Sequence, residues 1–332
     1  MTNDSEQVGS PLEKSSNPRK PFQILSLDGG GIKGLFSAAV LAAIEEDLKT
    51  EVTKHFDLIT GTSTGGIIAL GLGVGMRPRE IVEFYLSNGP EVFRQAKRLR
   101  TIKKLFSRKF PSEPLVEALK RCFKDKLFGA SEKRLVIPSY NIGEDDIYLF
   151  RTPHHERLRR DYKVPLWKVA QATSAAPTYF PCCRCIDNQR LIDGGVWANN
   201  PALVGIVEAT GTLGVPLDSI RVFSIGTSDP VTSRPKRLDE GGILAWGLGG
   251  DALDVIMRGQ SIGVTNQITF LLGKDRVERL DPKVPHGELS LDGVHKSEDI
   301  VAKAAHYSRI AMPTINDKFM SHVAAKYKPF YS

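Results

Sequence analysis

Two glycine-rich turns, each set between an apolar run of strand length and an apolar run of helix length, constrain this chain most. The first is Asp28-Gly29-Gly30-Gly31-Ile32-Lys33-Gly34. It follows the buried-strand pattern at 22–27 and precedes helical spacing over 35–49, where Val40, Leu41, Ile44 and Leu48 share one side. The second is Gly61-Thr62-Ser63-Thr64-Gly65-Gly66, after a short strand pattern at 56–60 and into an apolar helix over 64–72. A chain that keeps passing from strand to helix builds a mostly parallel sheet covered by helices on both faces, an α/β fold. The rest continues the alternation. Strands are expected at 135–140, 147–151, 191–192 and 220–225, and helices at 113–128, 166–173, 202–213, 244–257, 261–272 and 299–325. No repeat and no Pro/Gly/Ser linker divides the chain. Residues 21–332 therefore read as one domain behind a disordered tail, 1–20, whose charges cancel.

Each turn carries chemistry. Consecutive glycines let backbone N–H groups converge on an anion at a helix N-terminus, because no Cβ blocks the approach. Gly29, Gly31 and Gly34 also fit a dinucleotide-binding fingerprint, but that motif wants an acidic residue ending the second strand. Here that strand ends in Gly61-Thr62-Ser63, with Asp57 near its beginning. A phosphate-binding P-loop fits less well, since Leu35 and Phe36 follow Gly34. The second turn is a G-x-S-x-G at a strand-to-helix junction, the context of a nucleophile elbow with Ser63 exposed at its tip. A serine nucleophile needs a base. Asp193, ending the strand Arg190-Leu-Ile-Asp and followed by Gly194 and Gly195, is the best-placed candidate; alone it would read as an Asx turn leading into Asn199-Asn200-Pro201.

Other constellations are weaker. His286, His295, His306 and His322 follow Asp193, so chain order leaves a Ser–His–Asp triad open, but none sits in a glycine-flanked loop after a clear strand. His154-His155 with Arg157, Arg159 and Arg160 could meet a phosphate headgroup, and reads better as a solvated loop. Cys182-Cys183-x-Cys185 is half a metal site without a second ligand pair, and reads better as a packed edge strand.

In this order the three motifs resemble the patatin-like phospholipase family, from about Phe22 to near the C-terminus. The resemblance takes in Ala172-Thr173-Ser174-Ala175-Ala176-Pro177-Thr178-Tyr179-Phe180 and the run from Asp193 to Pro201. It implies a patatin-like three-layer fold and a Ser–Asp dyad, with Ser63 as nucleophile and Asp193 as base. It also implies an oxyanion hole at Gly29, Gly30 and Gly31, with Gly34, Gly61, Gly65, Gly194 and Gly195 as motif glycines. Lys33 stands where the family often has Arg. The implied activity is hydrolysis of membrane phospholipid esters through an acyl-enzyme, with no cofactor and no metal. Within the family the compact chain looks like the bacterial effectors of anti-phage signalling that cyclic oligonucleotides switch on. That likeness implies a cyclic dinucleotide as allosteric activator and a phospholipid membrane surface as partner, and leaves a homo-oligomer open. A constitutive lipid-metabolism esterase, or a storage or binding protein on the same scaffold, is the alternative.

Charge adds one feature. The net charge is +7, yet segment 94–110 alone holds eight Lys and Arg and no acid. Without them the chain is close to neutral, which indicates one anion-facing patch rather than a surface that coats nucleic acid. Leu99, Ile102, Leu105, Phe106 and Phe110 fall at near-helical spacing among these charges. The segment thus reads either as an interfacial membrane helix or as a solvated helix packed on the core. The longest apolar stretch, 67–76, is half of the ~20 residues a membrane span needs. No apolar leader pattern follows Met1, and four cysteines are too few for a disulfide framework. The expected place is the cytoplasm, peripheral at the inner membrane face when active.

Overall fold

The structure, a computed structural model, describes residues 20–93, 110–227, 251–285 and 293–332, with 230–231, 239, 241–242 and 246 between them. The predicted tail up to residue 19, the basic run 94–109 and His286 lie outside the described residues.

Phe22–Leu27 (β1) occupies the middle of a seven-stranded sheet. Leu58–Gly61 (β2) and Ile220–Ile225 (β6) flank it in parallel, Arg134–Asn141 (β3) extends the sheet beyond β2, and Val277–Leu280 (β8) extends it beyond β6. Alternate residues of these strands point into two separate apolar layers. Leu25, Leu27, Ile59, Leu135, Ile137, Phe223 and Ile225 pack with Gly34–Leu48 (α1), Thr64–Gly73 (α2), Pro78–Val92 (α3) and Ser297–Ile315 (α9). Ile24, Leu58, Val136 and Val222 face Ala202–Val207 (α7) and Asp251–Leu272 (α8) instead. The period of two in each strand divides the core, so helix, sheet and helix form three layers. Both faces are buried, which is why β1 reads as a nearly continuous apolar run.

The strand that carries Asp193 completes the sheet in an unusual place. On one side of β3 lies Asp146–Arg151 (β4), antiparallel along 136–141. On the other side β2 pairs with 134–136, and Leu191–Asp193 (β5) pairs antiparallel with 139–141. β2 and β5 therefore run toward each other along one edge of β3, and their C-terminal ends meet at Pro138. A proline has no ladder N–H to give. Here it stands opposite the gap between the two strands, where no ladder bond is required of it.

Two expected elements are redrawn and two unexpected ones appear. The segment 78–92 is helical although Pro90 and Gly89 disguise it. Pro78 opens it at the first helical position, and the Arg77 N–H donates to Glu80 at 2.7 Å as a capping interaction. The two helices expected at 244–257 and 261–272 are one helix in their described part, because Gly259 faces open space and interrupts nothing. β8 was hidden by Glu278 and Arg279, which break the apolar pattern of a four-residue strand. α9 ends at Ile315 and gives way to a wide π turn, Asn316–Met320, rather than continuing to residue 325.

Candidate active site

Ser63 sits where β2 turns into α2, with φ +55° and ψ −122°. That conformation is rare for a residue with a side chain and persists only where the surroundings impose it. The Ser63 N–H donates to Thr173 Oγ1 at 3.0 Å, and the Thr173 hydroxyl donates to the Pro138 carbonyl at 2.6 Å. One residue earlier, the Thr62 N–H is held by the Leu27 carbonyl at 3.1 Å and its hydroxyl by the Ala198 carbonyl at 2.6 Å. The flanking glycines are required by close approach. A Cβ on Gly61 would lie 2.2 Å from the Gly65 carbonyl oxygen, and one on Gly65 2.2 Å from that of Leu27.

Asp193 ends β5 with its N–H donated to the Ala175 carbonyl at 3.1 Å, while the Gly195 N–H donates to Asp193 Oδ1 at 2.7 Å. A Cβ on Gly194 would meet the Pro138 oxygen at 2.4 Å, so this turn too is pressed against the notch in β3. Burial pushes the Asp193 carboxyl up to about 6, opposed by hydrogen bonds from the Ser63 side chain and the Gly195 backbone. The run 172–180 has a concrete role here: Thr173 holds the serine turn and Ala175 holds the aspartate strand.

The glycine motif closes the third side. Gly31 has φ +59°, left-handed backbone that glycine adopts without penalty. Gly30 and Gly31 line a cavity together with Ser63, Thr64 and Asp193. Their N–H groups have no hydrogen-bond partner among the described residues. Gly29, expected as a third oxyanion donor, instead gives its N–H to the Asn199 carbonyl at 3.0 Å. It laces the glycine loop to the aspartate loop, and is corrected to that role. Beneath the loop, Asp28 forms a two-pronged ion pair with Arg279 of β8 at 2.7 and 2.8 Å and accepts the Ser261 hydroxyl at 2.9 Å. Burial pushes Asp28 up to about 6, with Arg279 pulling the other way. Gln260 of α8 clamps the turn after Asp193: its Nε2 donates to the Val196 carbonyl at 2.7 Å and its Oε1 accepts the Asn199 N–H at 3.3 Å. Sequence reasoning missed Arg279, Ser261 and Gln260, because their elements carry no motif and reach the site only through the fold.

Away from these polar groups the cavity is apolar, walled by Ile67, Phe84, Val92, Phe93, Leu115, Phe180 and Met257. Phe110, the last residue of the basic segment, is buried behind this wall, its ring 5.6 Å from Phe93 and 5.9 Å from Phe180. A serine and a carboxylate lining an otherwise apolar cavity suit an acyl ester.

No described histidine lines the cavity. His322 is paired with Asp57 at 2.7 Å, at the start of β2 and so at the opposite end of the strand from Ser63. His306 lies edge-on to Tyr307 in α9. His154 is not in a solvated loop as expected. It is buried between Thr152 Oγ1 at 2.9 Å and Glu208 at 2.8 Å. Cys183 pairs with Leu191 through reciprocal backbone bonds of 2.8 and 2.9 Å, as an edge strand would, and its Sγ lies 2.8 Å from that of Cys185.

A family model described as Patatin-like phospholipase matches residues 25–206, a span that includes the glycine turn, Ser63 and Asp193. The chain belongs to the patatin-like phospholipase family, and is a hydrolase acting on ester bonds. Among curated relatives, a cGAMP-activated phospholipase of Vibrio cholerae is 31% identical over 84% of this chain and 87% of its own length. A protein of the same name from Pseudomonas aeruginosa is 33% identical over 80% of this chain and 79% of its own. Patatin-like protein 2 of Arabidopsis thaliana is 33% identical over 70% of this chain and 63% of its own. No described helix is long and apolar enough to cross a membrane.

Proposed function

We propose that the chain is a phospholipid acyl hydrolase working through Ser63 and Asp193, activated by a cyclic dinucleotide. The observation that carries the reading is the meeting of three groups in one cavity wall: a serine on a constrained turn, a buried aspartate, and the unpaired N–H groups of Gly30 and Gly31. Asp193 takes the Ser63 proton as the hydroxyl attacks the ester carbonyl. An ordinary carboxylate is a poor base for a serine. Held up at about 6 by burial, Asp193 is a stronger one and still ionised at neutral pH. The developing oxyanion falls to the Gly30 and Gly31 N–H groups, at the positive end of the α1 turn. Asp193 returns its proton to the leaving alcohol, and water drawn through the same carboxylate releases the fatty acid from Ser63.

The acyl chain occupies the slot between Phe84, Phe93, Phe180 and Met257. The lipid reaches it from a membrane surface on which the enzyme is peripheral, at the cytoplasmic side, with the basic run 94–109 facing anionic headgroups. Activation by a cyclic dinucleotide is supported by the names of the bacterial relatives. The test is fatty-acid release from phospholipid vesicles by wild type and Ser63→Ala, each with and without a panel of cyclic dinucleotides. Release by wild type alone, and only with one of the panel, is the expected result. Full release without any nucleotide would make the protein a constitutive esterase, and release by Ser63→Ala would remove the mechanism.

A further inference from the structure

Thr64 follows Ser63 and opens α2. The residue is 6% exposed, and its hydroxyl has no hydrogen-bond partner among the described residues. Buried side-chain hydroxyls are nearly always paired, so an orphan one in a cavity wall marks a place where a partner arrives from outside. Thr64 lines the same cavity as Ser63, Gly30 and Gly31. Its position is fixed from two sides. The Tyr85 hydroxyl donates to the Thr64 carbonyl at 3.0 Å, and a Cβ on Gly34 would lie 2.7 Å from Thr64 Oγ1, so only glycine at 34 leaves room for this side chain. The hydroxyl thus stands where α1, beginning at Gly34, and α2, beginning at Thr64, bring their N-terminal ends together. Both ends are positive, and both favour negative charge developing between them.

We propose that the Thr64 hydroxyl is a third donor to the oxyanion, acting with the Gly30 and Gly31 N–H groups and taking the place left by Gly29. The proposal rests on Ser63 being the nucleophile. It explains why the side chain after the serine is hydroxylic and why its Oγ1 is unpaired in the free protein. The oxygen that receives this bond is the substrate carbonyl oxygen as it takes on charge, so the interaction strengthens toward the transition state.

The experiment measures hydrolysis of a soluble p-nitrophenyl ester and thermal unfolding for wild type, Thr64→Val, Thr64→Ser and Ser63→Ala. Valine keeps the shape and removes only the hydroxyl. The expected result for Thr64→Val is a kcat lower by about 10²-fold with KM changed little, as for loss of one oxyanion donor. Its melting temperature should equal or exceed that of wild type, because no internal bond is lost. Thr64→Ser should recover most of the turnover. Undiminished turnover in Thr64→Val, an equal loss in Thr64→Ser, or a melting point several degrees lower for Thr64→Val would each overturn the proposal. Ser63→Ala keeps the two readings apart. Turnover surviving there contradicts the nucleophile assignment, whereas turnover lost there but kept in Thr64→Val contradicts only the role of Thr64.

Discussion

The amide of Ser63 donates to the hydroxyl of Thr173 at 3.0 Å, and that bond braces the turn on which the proposed nucleophile stands. The same hydroxyl donates onward to Pro138, so one threonine satisfies a donor and an acceptor at the notch between β2 and β5. Thr173→Val keeps the volume and leaves both backbone groups buried and unpaired. It should cost about 1–3 kcal/mol in chemical unfolding and lower kcat for a soluble ester. A variant as stable and as active as wild type would show that the elbow holds itself.

Arg279 neutralises Asp28 beneath the glycine loop, with side-chain exposures of 14% and 3%. Arg279→Met removes the guanidinium and leaves the carboxyl buried without its counter-charge. The expected loss is about 3–5 kcal/mol in urea unfolding, the usual consequence of breaking one half of a buried ion pair. Adding Asp28→Asn should recover part of it, since the stranded charge is then gone.

Asp193 ties activity and stability to pH in opposite directions. Its folded value, about 6, lies above its ordinary value of 3.8. The folded protein therefore holds this proton more tightly than the unfolded chain does. Its contribution to stability is complete below pH about 4 and is lost as pH rises through 6, on the order of 3 kcal/mol in all. With Asp193 as the proposed base, turnover needs the ionised form and should rise over the same window. Asp193→Asn should accordingly abolish hydrolysis, yet gain in melting temperature relative to wild type at pH 8 and not at pH 4. Because Asp28 titrates in the same range in both proteins, the comparison isolates Asp193.

Much of this site was legible before the fold was known. Ser63, Asp193, Gly30 and Gly31 sit in short local motifs whose turn chemistry can be read directly, and the run 172–180 was visible though its purpose was not. What escaped were partners contributed by position. Thr173 matters because α5 (Leu166–Thr173) ends against Pro138. Arg279 matters because an unpredicted four-residue strand places it under Asp28. Gly29 looked like its neighbours in sequence, and only the packing of Asn199 against it takes its N–H out of use. The helix 78–92, which supplies the Phe84 and Val92 walls of the slot, was concealed by a proline tolerated near its C-terminal end.

The basic run supplies a separate test of where the enzyme works. Lys103→Glu with Lys104→Glu should weaken sedimentation with anionic vesicles, and raised salt should mimic the loss in wild type. Hydrolysis of a short soluble ester should be retained by the double variant. Equal vesicle binding by both proteins would return the segment to a solvated helix.

The central claim, that Ser63 is made nucleophilic by Asp193, is tested most directly by reacting the protein with a fluorophosphonate and mapping the adduct by peptide mass spectrometry. The account predicts one adduct, on Ser63, absent from Ser63→Ala and formed at least 100-fold more slowly in Asp193→Ala, on the scale that a positioned general base contributes. An adduct on any other serine, or labelling of Asp193→Ala at the wild-type rate, would contradict it.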